Sequence, residues 1–313
     1  MNNFNILTIS EGAAGMRSQI EGLAKIIGAT HINFDLKIKP FFSKLPVQLI
    51  PTCEFAYQNL SEINISGNTI IISCGKKSVK ASIYLKKKFK EKVFNIHIQD
   101  PKTQRKKFDL IICPEHDKLD VQNSISTQLA LHNIEFDKDI KNQDTINFII
   151  GGKNKYFTFH SETQLQILNE ISKLSKDYKV NVIPSRRTPP EMIKKIMEIK
   201  NNNLFIFEDL FSPKKYGDLL SSGIIQIVTW DSISMISESI SSGIGTYIYK
   251  FEENKLPKRY KIFYKNLINN NYVKYFDNNL VPFKVNLDTY NDELRTKILN
   301  KIKSNLRFQK YAS

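Results

Sequence analysis

The chain has 313 residues, 41% of them hydrophobic, and carries a formal net charge of +15 at pH 7. That length suits two domains of ordinary size, each with its own core, and the composition is that of a globular protein. No run approaches the roughly 18 to 20 apolar residues of a membrane-crossing helix; Cys53, Cys74 and Cys113 are odd in number and lack metal spacing, and M-N-N-F-N-I-L-T-I-S has no secretory pattern, so reduced thiols and a cytoplasmic location are expected.

Phe4 to Ile9 reads as a strand leading into S-E-G-A-A-G-M-R-S-Q-I-E-G-L-A. Gly12 and Gly15 flank a tight turn, and Ile20, Leu23, Ala24 and Ile27 then recur at helical spacing. Strand, glycine turn and helix open a Rossmann-like unit, although a G-x-x-G without a third glycine also fits any strand-to-helix turn. Thr30 to Ile38 suggests a second strand, and Thr69 to Ser73 is a buried one, followed by C-G-K-K-S and a helix over Ala81 to Phe89. Val93 to Ile98 ends in Q-D-P-K, and Phe108 to Cys113 ends in P-E-H-D. Strands alternating with helices imply a parallel sheet, beyond whose carboxyl ends ligands collect. The turns with Gly75, Asp100 and the His116-Asp117 pair would project there.

Twelve basic residues lie between Lys76 and Lys107, against only Glu91 and Asp100. Such a segment suits an anionic membrane surface or a phosphorylated substrate; the alternative is a solvated face of a lysine-rich chain. No nucleic-acid fold signature accompanies it, so nucleic acid is not expected as a partner.

Residues 131–144 are polar and aperiodic, and we place the domain boundary there. The expected division is 1–138, 139–285 and a C-terminal helix in 286–313. Asp137-Lys138-Asp139 has the D-x-D form of some metal sites but lies in linker-like sequence, and no metal site is expected.

A second series follows. Thr145 to Ile150 is a strand closed by Gly151-Gly152-Lys153, where backbone could approach a phosphate and Lys153 pair with it. A helix over Glu162 to Leu174 precedes a strand at Val180 to Ile183 that ends in P-S-R-R-T-P-P, and Arg186, Arg187 and Thr188 there suit an anion. Glu191 to Lys200 reads as a helix and Leu204 to Phe207 as a strand. Ile224 to Val228 is another buried strand, and Asp231 or Ser232 can cap the next helix. Ile233, Ile236 and Ile240 fall on one side of that helix, and Ser234, Ser237, Glu238 and Ser241 on another. A helix N-terminus favours a phosphate, and Glu238 could accept hydrogen bonds from two sugar hydroxyls. The alternative is a small-residue packing helix with a solvated Glu238. Gly243 stops the helix, Thr246 to Tyr249 resumes a strand, and Leu287 to Leu306 reads as a last amphipathic helix.

In order, G-A-A-G-M-R-S-Q-I-E-G-L-A, S-C-G-K-K-S, I-Q-D-P, F-D-L-I-I-C-P-E-H-D, I-I-G-G-K, S-R-R-T-P and V-T-W-D-S-I-S-M-I-S-E resemble the motifs of the mitochondrial fission family, that of the plant elongated-mitochondria protein and its bacterial homologues. The resemblance runs from about Ile6 to about Phe283. It implies an α/β, GT-B-like fold: two Rossmann-like domains with parallel sheets facing across a cleft, the C-terminal one holding a nucleotide-sugar. Gly151 and Gly152 then resemble the phosphate loop. Asp231, Ser232, Ser234, Met235 and Glu238 resemble the donor helix, with Glu238 on the ribose. The resemblance likewise makes Gly12, Gly15, Met16 and Arg17, with Gly75 and Asp100, the expected acceptor-side loops. Trp230 stands where a glycine is usual. The leading expectation is a metal- and cofactor-independent glycosyltransferase that moves a sugar from a nucleoside-diphosphate donor to a lipid-linked or cell-envelope acceptor, with His116 or Asp117 as general base. It would be cytoplasmic, with peripheral attachment at the inner face of a membrane as an option. The rival is a non-enzymatic, membrane-associated adaptor.

Overall fold

A computed structural model describes residues 4–28, 30–137, 139–140, 144–208, 212–277 and 279–305. Lys138, the expected end of the first domain, and Leu306, the expected end of the last helix, lie outside the described residues. The chain divides into two compact units, one of Met1–Asn133 with Asp288–Ser313 and one of Ile134–Leu287.

The first unit runs β1 (Asn5–Ser10), α1 (Ala14–Ile27), β2 (His31–Asp35), α2 (Pro40–Ser43), β3 (Thr69–Cys74), α3 (Ser78–Phe89), β4 (Val93–Ile98), β5 (Leu110–Pro114) and β6 (Ser124–Thr127). Its strands form one six-stranded sheet in the order β2-β1-β3-β4-β5-β6, every pair parallel. β3 and β4 are buried at every position, the polar Asn95 and His97 of β4 included, as expected of central strands covered on both faces. Ile20, Leu23, Ala24 and Ile27 of α1 all enter the core. Gly12 and Gly75 hold φ of +81° and +95° in the turns after β1 and β3. Gly15, expected to flank the first turn, lies inside α1. Gly22 packs against the backbone of His132, where an added Cβ would stand 2.3 Å from the carbonyl oxygen.

The second unit runs β7 (Thr145–Ile150), α4 (Ser161–Leu174), β8 (Lys179–Pro184), α5 (Pro190–Met197), β9 (Leu204–Ile206), α6 (Pro213–Ser221), β10 (Ile225–Thr229), α7 (Ile233–Ser241), β11 (Thr246–Tyr249), α8 (Lys258–Asn269) and β12 (Val273–Tyr275). The sheet order is β12-β11-β10-β7-β8-β9, again all parallel. Chain order reverses between β7 and β10, the strand arrangement of a Rossmann sheet, and ligands of such sheets bind beyond the carboxyl ends at that reversal.

Four elements escape the sequence reading, the single-turn α2 among them. β6 and β12 are short edge strands without an apolar run. α6 contains Gly217, which ordinarily weakens a helix; here a Cβ would stand 1.8 Å from the Glu135 carbonyl oxygen, so the glycine permits close packing.

The final helix, α9 (Asp288–Lys303), belongs to the first unit: Leu294, Ile298 and Ile302 join its core. The Tyr290 hydroxyl accepts a 3.0 Å hydrogen bond from the Gln128 amide. Helical periodicity showed that the helix had an apolar face; it did not say which unit that face would cover. Ile298 is fully buried, so Ile298→Ala should destabilise the chain by about 2–5 kcal/mol in urea unfolding. A loss under about 1 kcal/mol would mean that the helix is not docked as described.

Candidate functional site

At the β7/β10 reversal of the second unit, the strand ends are tied by one carboxylate. Asp231, just after β10, is 1% exposed. Its Oδ2 lies 2.6 Å from Nη2 of Arg187, in the loop after β8, and accepts a 3.2 Å hydrogen bond from the Gly152 amide after β7. Oδ1 accepts from the Thr229 hydroxyl at 2.8 Å, and that hydroxyl accepts from the Gly151 amide at 2.7 Å. Arg187 also donates to the Gly152 carbonyl at 3.2 Å. Burial pushes the Asp231 carboxyl above its ordinary range, against the opposing pull of Arg187, Thr229 and Gly152.

Thr188 completes the clasp. Its hydroxyl donates to the carbonyls of Ile150 and Gly151, both at 2.8 Å, and accepts from the Ser185 amide at 2.9 Å. The glycines are needed for proximity. A Cβ on Gly151 would stand 2.1 Å from Asp231 Oδ1, and one on Gly152 2.0 Å from the Arg187 carbonyl oxygen. Residues that the sequence offered for a phosphate are therefore engaged with one another: the amides of Gly151 and Gly152, the Asp231 carboxylate, the Arg187 guanidinium and the Thr188 hydroxyl. Thr229 and Asn154, whose amide group donates to the Asp231 carbonyl at 2.9 Å, were not singled out in the sequence. Two small polar residues flanking Asp231 and Gly152 were the available signal.

Open chemistry remains around this frame. Lys153 and Arg186 are exposed in the loops after β7 and β8. α7 starts at the carboxyl end of β10, where Ser232 rather than Asp231 is the cap, accepting from the Met235 amide at 3.4 Å. Ser234 is exposed, Met235 buried, and Ile236 and Ile240 are in the core, whereas Ile233 is only half-buried. Ser237 is fully buried, and the Ser241 hydroxyl donates back to the Ser237 carbonyl at 2.8 Å. The hydroxyl face is thus narrower than helical spacing suggested: Ser237 is lost to the core, and Ser234, Glu238 and Ser241 make up its accessible part.

Glu238 is half-buried on the second turn. Burial pushes its carboxyl up to about 7, and a hydrogen bond with the Tyr216 phenol of α6 pulls the other way. Burial, and then the same carboxylate, raise the Tyr216 phenol well above its usual value. Tyr216 escaped the sequence reading because nothing local links α6 to α7. Trp230, at the usual glycine position, turns its indole into an aromatic cluster with Phe157 and Tyr264, at ring-centroid distances of 5.3 and 5.6 Å.

In the first unit, sheet order reverses at β1/β3. The Gly12 and Gly75 turns meet there: a Cβ on Gly75 would stand 2.7 Å from the Met16 sulfur. Glu11 joins them, accepting from the Lys77 amide at 3.2 Å and pairing with Lys77 Nζ at 3.0 Å. Arg17 pairs with Asp35 at 2.6 Å on the surface. Asp100 is gripped by Arg105 through two 2.8 Å bonds and by Lys102 at 2.9 Å, which holds it well below the usual carboxylate range. His116 is buried in a single helical turn over Glu115–Asp117, and Asp117 lies 4.0 Å from the Cys113 sulfur.

The basic segment from Lys76 to Lys107 is not the uniform patch its composition suggests. Lys77, Lys86, Lys88, Lys102 and Arg105 pair with Glu11, Asp109, Glu54 and Asp100, and Lys80 is 4% exposed. Three of those four carboxylates lie outside the segment, so a local charge count overstates its field. Among the described residues no three His, Cys, Asp or Glu side chains gather as metal ligands, and no helix is long and apolar enough to cross a membrane.

The family model for Mitochondrial fission ELM1 matches residues 14–300, and the chain belongs to that family. An uncharacterized Rickettsia prowazekii protein, RP120, is 26% identical over 366 aligned positions that cover 98% of each chain. The mitochondrial fission protein ELM1 of Arabidopsis thaliana is 24% identical, over 58% of this chain and 51% of its own. Among solved structures, a UDP-N-acetylglucosamine 2-epimerase superposes with a TM-score of 0.52 at 9% identity, covering 100% of this chain and 91% of its own. MurG of Acinetobacter baumannii superposes at 0.50 and 10% identity, covering 99% and 93%. At such identities the likeness is one of fold, and the fold is GT-B-like.

Removing the partly exposed Arg187 guanidinium leaves the buried Asp231 carboxylate without its counter-charge. Arg187→Ala should therefore lower stability by about 1–3 kcal/mol in urea unfolding, since Asp231 keeps its Thr229 and Gly152 hydrogen bonds. A change under about 1 kcal/mol would make Arg187 a surface cation rather than part of the frame.

Proposed function

We propose that this member of the ELM1 family is a GT-B glycosyltransferase that moves a sugar from a nucleoside-diphosphate donor to a hydroxyl of a lipid-linked or cell-envelope acceptor. One observation carries the reading. Glu238 is a half-buried carboxylate shifted to near neutrality, on a helix that begins at the reversal point of a Rossmann-ordered sheet.

In this reading the start of α7 and the Ser234 hydroxyl receive the diphosphate. Lys153 and Arg186 supply countercharge without a metal, and ionised Glu238 accepts hydrogen bonds from the ribose hydroxyls. Gly151, Gly152, Arg187, Thr188 and Asp231 act as the frame that fixes these loops, with Ser232 capping the helix and Met235 packed beneath it. The Gly12–Arg17 and Gly75 turns of the first unit take the acceptor. The acceptor oxygen bonds to the anomeric carbon, the bond from that carbon to the diphosphate breaks, and the nucleoside diphosphate leaves. His116, assisted by Asp117, accepts the hydroxyl proton. The donor is the only small molecule required, and the chain works on the cytoplasmic side, attached peripherally to a membrane.

A second reading, a binding platform without catalysis, is favoured by the clasp itself, which closes the glycine amides and Asp231 on one another.

Donor binding distinguishes the two. In a thermal-shift panel of UDP-, GDP-, CDP- and ADP-sugars, one nucleotide class at 100 times its Kd should stabilise the chain by about 2.7 kcal/mol, and Glu238→Ala should remove the shift. Silence across the whole panel would leave the platform. The fold also serves a UDP-N-acetylglucosamine 2-epimerase, so product analysis with and without acceptor separates transfer from epimerisation or hydrolysis. Affinity should also depend on pH. The Glu238 carboxyl is raised from 4.5 to about 7, so it is largely ionised at about pH 8 and largely protonated at about pH 6. Calorimetric affinity for the responding nucleotide should fall over that interval as pH drops, and Glu238→Gln should flatten the profile. An unchanged slope in that variant would take Glu238 out of the site.

A further inference from the structure

After β2 the first unit leaves its sheet for an excursion that ends near Asn59. Its base is pinned: the Gln58 amide donates to the Lys37 carbonyl at 2.8 Å, the Lys39 amide to the Ala56 carbonyl at 3.0 Å, and the Lys37 amide to the Asn59 side chain at 2.9 Å. Val47, Ile50 and Ala56 anchor it in the unit's core. On this fixed frame Phe41, Leu49 and Phe55 are 72%, 66% and 69% exposed. Two of them belong to a continuous aromatic group, because Phe42 lies 5.2 Å from Phe41 and 6.0 Å from Phe55, ring centre to ring centre. Large apolar side chains held outward by a packed scaffold mark an interaction surface.

The charge around the group identifies its occupant. Lys37 and Lys44 are exposed, and Lys39 Nζ sits 4.0 Å above the Phe55 ring. Glu54 is the only acidic residue from Leu36 to Gln58, and it is met by Lys88 at 3.5 Å and the Tyr84 hydroxyl at 2.9 Å. Protein interfaces are depleted in lysine at their cores. Aromatic rings that enter the headgroup region, ringed by lysines that reach lipid phosphates, match an anionic bilayer. We propose that the Phe41–Phe42–Phe55 surface, with Lys37, Lys39 and Lys44, docks the first unit on an anionic lipid membrane.

The excursion is attached to the edge that carries the Gly12 and Gly75 turns: the Leu36 amide donates to the Ser10 carbonyl at 2.7 Å and the Tyr57 hydroxyl to the Lys77 carbonyl at 2.9 Å. Docking would bring the acceptor-side turns to the surface in which a lipid-linked acceptor resides. That link rests on the transferase reading; the docking itself does not.

Flotation of the full chain with phosphatidylcholine vesicles containing about one-third phosphatidylglycerol, and with phosphatidylcholine alone, tests the proposal. The chain should float with the anionic vesicles and be released by about 0.5 M salt. A Phe41→Ser/Phe55→Ser variant and a Lys37→Gln/Lys39→Gln/Lys44→Gln variant should each lower the bound fraction at least ~10-fold at unchanged Tm. The proposal is overturned by a wild type that stays in solution, or by flotation undiminished in both variants. Self-association that the phenylalanine variant abolishes, without flotation, would likewise overturn it and make the surface a protein contact. A nucleotide-sugar thermal shift on the same samples separates the two readings: flotation without a shift counts against the transferase alone, and a shift without flotation against membrane attachment and this surface while donor binding stands.

Discussion

The buried Asp231 carboxylate, paired with Arg187, organises the strand ends of the second unit. A carboxylate removed from water must be compensated locally, and its partners come from three chain segments: Gly152 after β7, Arg187 after β8 and Thr229 at the end of β10. A parallel sheet holds its strands along their length but leaves their carboxyl-end loops independent. Here those loops share one counter-charge, which sets their mutual positions and leaves α7 starting from a rigid base. A site that must hold charged groups in fixed directions requires such a base.

The first unit solves the same problem differently. Glu11–Lys77 joins the turns after β1 and β3, Arg17–Asp35 joins α1 to the end of β2, and Arg105 and Lys102 grip Asp100 within the loop after β4. These pairs are more exposed, apart from the Asp100 carboxylate, so water screens them and each contributes less than the Asp231 clasp. Local backbone is unusual in that loop: Gln99, Lys102 and Gln104 all have positive φ, a conformation disfavoured for residues with a side chain. Asp100 ties that loop together through the Lys102 amide and ammonium and the Arg105 guanidinium.

Much of the fold was legible because it rests on short-range signals. Short, mostly apolar runs such as Thr145–Ile150 and Val93–Ile98 identified central strands, and the buried positions of α1 followed from the spacing of Ile20, Leu23, Ala24 and Ile27. Edge strands β6 and β12 were missed because an edge strand need not be apolar on both faces. α6 received no assignment, and what its Gly217 packs against, the Glu135 carbonyl, lies far away in sequence. In the site, Gly151, Gly152, Arg187, Thr188 and Asp231 were singled out by residue type, and type alone could not say whether they would face a ligand or one another.

The sequence by itself determined two series of strands and helices, the breaks between them, the residues rich in polar chemistry at the strand ends, and the family motifs. These depend on periodicity and on local backbone preference, which are properties of neighbouring residues. Only the tertiary structure decided which carboxylate meets which cation, that α9 completes the first core, that Glu11 and Glu54 offset lysines far along the chain, and that Tyr216 stands beside Glu238. Those outcomes depend on burial and on distances between segments remote in sequence. Coulomb energy and desolvation respond to separation in space, and no spacing along the chain encodes it.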